Sequence, residues 1–225
     1  YGVSGMSPYI HYGMIAPTLI AREAAEIGGK GAEKFLDELL IFREHAHHHC
    51  HKLKNPESWS NLPEWAKISW SEKFFVSTEK SPYALEFGES GDTLWDCSQI
   101  GLLRHGVMHN NIRMTWGKAF ANWIEDPEDA MKLSLDFNNR YALDGRDPNS
   151  IAGVMWCFGL FDRSFSPYDP VMGNVRNRTT EVHRNRIDFE AYSNWTKKST
   201  LDKKLKIGIV GGGISGSFAA MLLNK

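Results

Sequence analysis

An arginine set among tryptophans on a helix face that has to be buried leaves a chain few ways to fold. The stretch from Thr93 to Asn149 poses that problem. Its periodicity predicts an amphipathic helix from about Leu94 to Arg104, broken at Gly106. A second helix carries His109, Arg113 and Trp116 at i, i+4 and i+7. Trp123 follows seven residues on, so polar groups and indoles share one face. After Asp126-Pro127 a third helix leads into the polar turn Asp144-Gly145-Arg146-Asp147-Pro148-Asn149. A buried Arg113 needs a carboxylate, because an unpaired buried charge is costly, and Asp144 and Asp147 are the candidates. An ordinary ion pair tying two helices would answer the same need.

The 225 residues allow one large domain or two small ones, with a substantial core. A content of 42% hydrophobic and 24% charged residues fits a soluble globular protein. Formal net charge is −1, so no global basic excess announces nucleic acid, and any DNA contact must come from a local patch. Cys50, Cys97 and Cys157 are odd in number and far apart. They point to reduced thiols and a cytoplasmic-type compartment (nuclear, or nucleoid-associated) rather than a disulfide framework. No apolar run approaches a membrane span, and no signal peptide is visible.

Read as words, GVMHNNIRMTWGKAFANW between Trp95 and Trp123 resembles the FAD-binding helical domain of the photolyase/cryptochrome family. It looks most like the class II DNA photolyases, with their pattern G-x-M-H-x-x-M-R-M-x-W-A-K-K-x-x-x-W. The run Phe137-Asn138-Asn139-Arg140-Tyr141-Ala142-Leu143 and the turn after it match that group's L-N-D-x-Y-x-L-D-G-R-D-P-N-G. Near the start, Ser4-Gly5-Met6-Ser7-Pro8 is a helix-start signal, and a helix N-terminus also suits phosphate. It resembles the family's S-x-L-S-P-Y-L-H-F-G, whose serines hold the FAD pyrophosphate, with Met6 in place of Leu. Two helices are expected over Thr18 to Leu53, separated by Gly28-Gly29-Lys30-Gly31, the second from Ala32 to about His51 with Phe35, Leu36, Leu39, Leu40 and Phe42 as its apolar stripe. Its FLDELLIFRE resembles the family's L-E-E-L-I-x-W/R-R/K-E.

The resemblance implies an all-α fold of photolyase type over residues 1–196. It implies FAD as cofactor and DNA containing pyrimidine dimers as substrate, with a monomer expected. Light would drive an electron from reduced FAD to the dimer, as in a deoxyribodipyrimidine photo-lyase. Carried over position by position, Ser4, Met6 and Ser7 would meet the FAD phosphates. Arg113 and Asp144 would pair beside the isoalloxazine, with Asn138 and Asn149 making polar contacts near it. Trp95, Trp116 and Trp123 match the tryptophans that relay electrons. Glu38, Phe42, Met108 and Trp156 would line the substrate pocket, and Arg176 would grip phosphate. From the residues alone, Glu38 reads equally as a solvated carboxylate and Trp156 as a core tryptophan.

The chain departs from the pattern in places. Gly101 stands where class II members have Glu, Asn110-Asn111 replaces Gly and an aromatic residue, and Arg178 to His183 departs from a Tyr-Met-Asn run. Gly101 and Phe42 suit an alternative reading, a cryptochrome-like photoreceptor.

The remaining signals are weaker. His45, His47, His48, His49, Cys50 and His51 invite a zinc reading, but a fourth ligand at recognisable spacing is lacking, and no metal is expected. Asn55-Pro56, Leu62-Pro63 and Ser81-Pro82 break residues 54–91 into short helices, with Trp59, Trp65 and Trp70 packing between them. From Arg163 to Lys206 ten Lys/Arg stand against five Asp/Glu, densest at Arg176, Arg178, Arg184 and Arg186, which suits phosphate contacts. Residues 197–204 read as a linker. Residues 205–225 pair a strand with Gly211-x-Gly213-x-x-Gly216 and the start of a helix, the opening of a dinucleotide-binding domain. That segment resembles FAD-dependent oxidoreductases, a third reading of the chain.

Overall fold

In the computed structural model, residues 3–72 and 79–199 are described, with the single positions 213 and 217; the Gly211-x-Gly213-x-x-Gly216 segment otherwise lies outside the described residues. Helices carry the fold, and among the described residues there is no β-strand. In chain order they are α1 (Ser7–His11), α2 (Pro17–Ile27), α3 (Gly29–Leu36), α4 (Arg43–Lys52), α5 (Glu64–Ser71), α6 (Pro82–Glu86), α7 (Thr93–His105), α8 (Asn110–Ala119), α9 (Pro127–Tyr141), α10 (Pro148–Trp156), α11 (Thr180–Arg184) and α12 (Phe189–Lys197). A π-helical turn, Asp37–Phe42, joins α3 to α4 without a break.

The starts follow side-chain chemistry. Asp92, Asp126, Asp147 and Asp188 accept hydrogen bonds from the backbone N–H groups of Trp95, Asp129, Asn149 and Ala191, which satisfies donors the first turn leaves over. Proline opens α2, α6, α9 and α10, where its missing N–H costs nothing. Gly106 ends α7 at φ +67°, a left-handed position that glycine takes without strain. At α1 the serine cluster marks the helix start but supplies no cap: Met6 holds the N-cap position, and Ser4 Oγ accepts only from Met6 N at 3.4 Å.

Between α2 and α3 the expected four-residue break shrinks to Gly28 alone, because Gly29 already starts the next helix. The π turn then shifts the register of that long element. Of the expected apolar stripe only Leu39 is buried, while Leu40 and Phe42 stay exposed and Arg43 turns inward.

The core fills the space between α7, α8, α9 and α10. Trp95, Trp116, Phe120, Phe137 and Phe158 are fully buried there, with Trp70 of α5 donating its indole N–H to Phe158 O at 2.8 Å. Six aromatic rings of this size remove a large apolar area from water. Two glycines set the distances between layers. A Cβ on Gly117 would stand 2.7 Å from Cys157 Sγ, so α8 lies close to the residue that follows α10. One on Gly101 would stand 2.9 Å from the Thr196 methyl, so α12 beds directly on α7.

Candidate functional site

Two arginine–aspartate pairs sit side by side between α4, α8 and the turn after α9. Arg113 reaches Asp144 with both terminal nitrogens, at 2.9 and 3.1 Å, and also donates to Ser150 Oγ at 3.1 Å. Asn138 Nδ2 donates to the same hydroxyl at 2.9 Å. The paired geometry fixes the guanidinium plane, which lysine in its place would not do. The partner foreseen as an alternative, Asp147, takes a different arginine. Arg43 forks onto it at 2.9 and 3.1 Å, and His11 Nδ1 lies 3.3 Å from its Oδ2. Burial works against the Asp147 charge, but hydrogen bonds from Arg43, the Asn149 backbone N–H and His11 overcome it, and its pKa is held below the usual carboxylate value.

From Arg113 one helical turn leads to the indoles. Trp116 stacks on Trp95 with ring centroids 6.2 Å apart and planes 8° from parallel, and Trp95 meets Trp123 edge-on at 5.1 Å. The row therefore runs Trp116, Trp95, Trp123. It does not lie on one helix face, as the spacing had suggested. α8 ends at Ala119, a short 3₁₀ turn (Phe120–Asn122) carries the chain to Trp123, and Trp95 enters from α7. His109 likewise caps α8 rather than lying within it. Trp95 donates its N–H to Trp116 O at 3.0 Å and Trp116 donates to Gln99 Oε1 at 3.0 Å, so both rings are locked in place.

On the far side of α8 opens a cavity of about 1360 Å³. Tyr9, Tyr12, Met108, Ile112, Tyr192 and Trp195 give its lining apolar and aromatic surface, and Arg176, Arg178, His183 and Arg186 give it polar and cationic groups. Burial lowers the His183 pKa, and its neighbours Arg178, His109 and Arg186 lower it further. Arg178 is pushed down in the same way by burial and by Arg176. A lining that combines aromatic and cationic side chains suits a ligand that joins a flat ring to a phosphate.

The residues singled out from the sequence fall into separate groups. Arg113, Asp144 and Asn138 come together through Ser150. Asn149 follows the Asp147 cap, to which its backbone N–H donates. Met108 and Arg176 line the cavity, as do Gly5 and Pro8, neighbours of Ser4, Met6 and Ser7. Phe42 packs on Trp156 at 5.6 Å between centroids, outside that lining. Glu38, one turn before Phe42, is half-exposed and pairs with Lys34 at 2.7 Å. Arg43, His11, Ser150, Gln99 and His183 escaped the sequence reading. Arg43 stood inside the quoted motif, at its R/K position, and an arginine directly after an apolar run was the available signal.

Among the described residues no three His, Cys, Asp or Glu side chains gather in a metal-ligand group. His45 and His49 instead pack edge-on against Phe161, at 4.2 and 5.4 Å. The three cysteines are free thiols, and no described helix is long and apolar enough to cross a membrane.

Fold and site define an all-helical domain in which a buried arginine–aspartate pair, a row of indoles and a basic cavity meet at one helix. No protein-family model matches the chain. It is 38% identical over 192 residues to the deoxyribodipyrimidine photo-lyase of Methanothermobacter thermautotrophicus, covering 84% of this chain and 42% of that protein. The enzymes of the same name from Oryza sativa subsp. japonica and Arabidopsis thaliana are 33% and 32% identical, over 87% and 91% of this chain and 40% and 42% of their own. The chain belongs to the photolyase family. It spans about two fifths of the length of the curated relatives it matches.

Proposed function

We propose that this chain is the FAD-binding part of a light-driven, deoxyribodipyrimidine photo-lyase-type DNA repair enzyme, acting as a monomer in the cytoplasm or nucleus. The observation that carries the reading is the continuity from the buried Arg113–Asp144 pair through Trp116 and Trp95 to Trp123. The relatives' name gives the reaction class.

The residues present fit a dinucleotide. The cavity is large enough for one, and it offers aromatic and cationic walls together. When bound, reduced FAD supplies the light absorption and the electron that opens the cyclobutane ring and afterwards returns. The protein's part is to hold and tune. Arg113, fixed by Asp144 and Ser150, lies outside the cavity lining; it would serve as a permanent cation that favours negative charge on the flavin, and Asn138 would add an amide near it. Ser4, Met6 and Ser7 lie on the segment that enters the cavity wall at Gly5 and Pro8, where the cofactor phosphates would be met. Asn149, beside Asp147, adds a further polar contact. The indoles form a path for electrons entering from the protein surface, with ring contacts close enough for short steps. On the substrate side Glu38 offers an acceptor for the pyrimidine N–H groups, Phe42, Met108 and Trp156 offer apolar surface, and Arg176 offers a phosphate contact. An extruded lesion costs less to unstack than an intact base pair, which favours damaged sites.

The test is blue-light repair of a dimer-containing oligonucleotide by purified, FAD-reconstituted protein, with Glu38→Ala as control. Repair in light only, weakened by the substitution, supports the reading. Bound, photoreducible FAD without repair overturns it in favour of a photoreceptor.

A further inference from the structure

Four arginines crowd residues 176–186, and the structure separates them. Arg184 stacks on Phe189, its guanidinium 4.4 Å from the ring centroid, and does not line the cavity. Arg176, Arg178 and Arg186 do line it, and none makes an ion pair among the described residues. Arg176 rests on Phe165, at 5.6 Å. That leaves Arg178 and Arg186 on the cavity lining without a direct ion pair among the described residues, with Asp162 acting on Arg178 only at longer range and Asp188 in the lining. His183 stands between them on α11, held to α8 by a 2.6 Å contact from Nδ1 to Thr115 Oγ1.

We propose that Arg178, His183 and Arg186 form a phosphate-binding wall, and that His183 takes up a proton when a phosphate-bearing ligand enters the cavity. This deepens the proposed function and rests on it for the ligand's class, a nucleotide phosphodiester or diphosphate. The groups facing His183 are Arg178, Arg186 and His109, with Thr115 from α8; Arg176 and Asp188 complete the charged lining. Burial and the neighbouring Arg178, His109 and Arg186 disfavour the imidazolium in the ligand-free site. A phosphate reverses that balance, because it places negative charge in a lining where the arginines outnumber the one carboxylate, Asp188. Thr115 lets the proton arrive without breaking the contact. Its hydroxyl donates to neutral Nδ1, or accepts from protonated Nδ1–H while turning to Asn111 O, 3.4 Å away. Ligand binding should therefore tighten as pH falls toward about 6, the range in which histidine exchanges its proton.

The experiment has two arms. In the first, FAD is titrated calorimetrically into flavin-free chain in buffers of different ionisation enthalpy. In the second, FAD-loaded chain is titrated with single-stranded oligothymidylate and followed by fluorescence anisotropy at about pH 6 and about pH 8, the span over which histidine loses its charge. Neither phosphodiester nor diphosphate titrates there, so a proton taken up belongs to the protein. Arg178→Met should weaken one probe by about tenfold, the value of one charge-assisted hydrogen bond. Arg184→Met, the same charge change outside the cavity, should not. His183→Gln should abolish the proton uptake. Weakening in the first arm assigns the wall to the cofactor diphosphate, and in the second to DNA.

Equal weakening by Arg178→Met and Arg184→Met, or binding without proton uptake, would overturn the inference and leave the proposed function standing. Binding of neither probe would overturn both. Proton-linked binding without light-dependent repair would sink the proposed function alone. Circular dichroism of each variant, and Arg186→Gln on the exposed side of the wall, guard against a misfolded Arg178 variant.

Discussion

Gly101 and Thr196 approach so closely that a single methyl added to the glycine would stand 2.9 Å from the threonine methyl, with Trp195 at 3.4 Å. The position at which the family's class II members carry Glu is here the seat of α12. Gly101→Glu should therefore lose stability, by roughly 1–3 kcal/mol as expected of overpacking. Gly101→Ala gains about 1 kcal/mol of helix propensity and still meets the clash, so it should not exceed the parent. Urea unfolding of the three proteins measures this. A stabilised Gly101→Ala would mean that α12 shifts freely on α7.

Arg113 and Asp144 should be inseparable energetically. Asp144→Asn leaves a half-answered guanidinium inside the protein, and removing one partner of a buried pair costs about 3–5 kcal/mol. Arg113→Met with Asp144→Leu removes both charges and should recover a large part of that loss, while FAD affinity stays low. Equilibrium unfolding and flavin binding on Asp144→Asn, on Arg113→Met alone and on the double variant separate the structural part from the cofactor part. Additive losses would show that the two side chains do not act as a pair.

The indole row predicts an order. With FAD bound and a reductant in solution, Trp95→Phe should slow photoreduction more than Trp123→Phe, because Trp95 touches both other rings and Trp123 only Trp95. Loss of flavin absorbance under blue light gives the rates. Equal rates in the two variants would mean that electrons enter by another route.

The Asp147 pKa is lowered in the folded protein, so the sign of its pH effect is fixed. Its contribution is present above the unfolded carboxylate value of about 3.9 and disappears as pH falls through the lower folded value. Unfolding free energy should fall steeply on acidification below about pH 4, and less steeply in Arg43→Met, in which the carboxylate loses its first partner. Identical acid slopes would show that Asp147 is held down by something other than Arg43.

Much of this was legible in the sequence where the signal is local. The proline after Asp126 and the Gly106 stop each act within a few residues, so spacing alone placed α7 and α9, whereas α10 was not foreseen. The Arg113 partner was narrowed to two aspartates but not chosen, because the choice depends on Arg43, seventy residues earlier, claiming Asp147. Arg43 itself was hidden by the π turn. Counting in threes and fours puts Leu40 and Phe42 inside, and the extra residue in that turn moves them out and brings Arg43 in. The indole order was hidden for a similar reason, since helical periodicity cannot report that a ring from a neighbouring helix fills the gap between two others.

That interleaving has a further consequence. Trp116 and Trp123 belong to one stretch of chain, but the ring between them arrives from α7. If the indoles carry electrons as proposed, the path is an assembled circuit, closed only when α7 is docked, and a molecule whose α7 has lifted away would be electrically open even with every helix intact. Conduction through the indoles would then be a report on tertiary structure: a partly melted protein would go dark before it loses its helices.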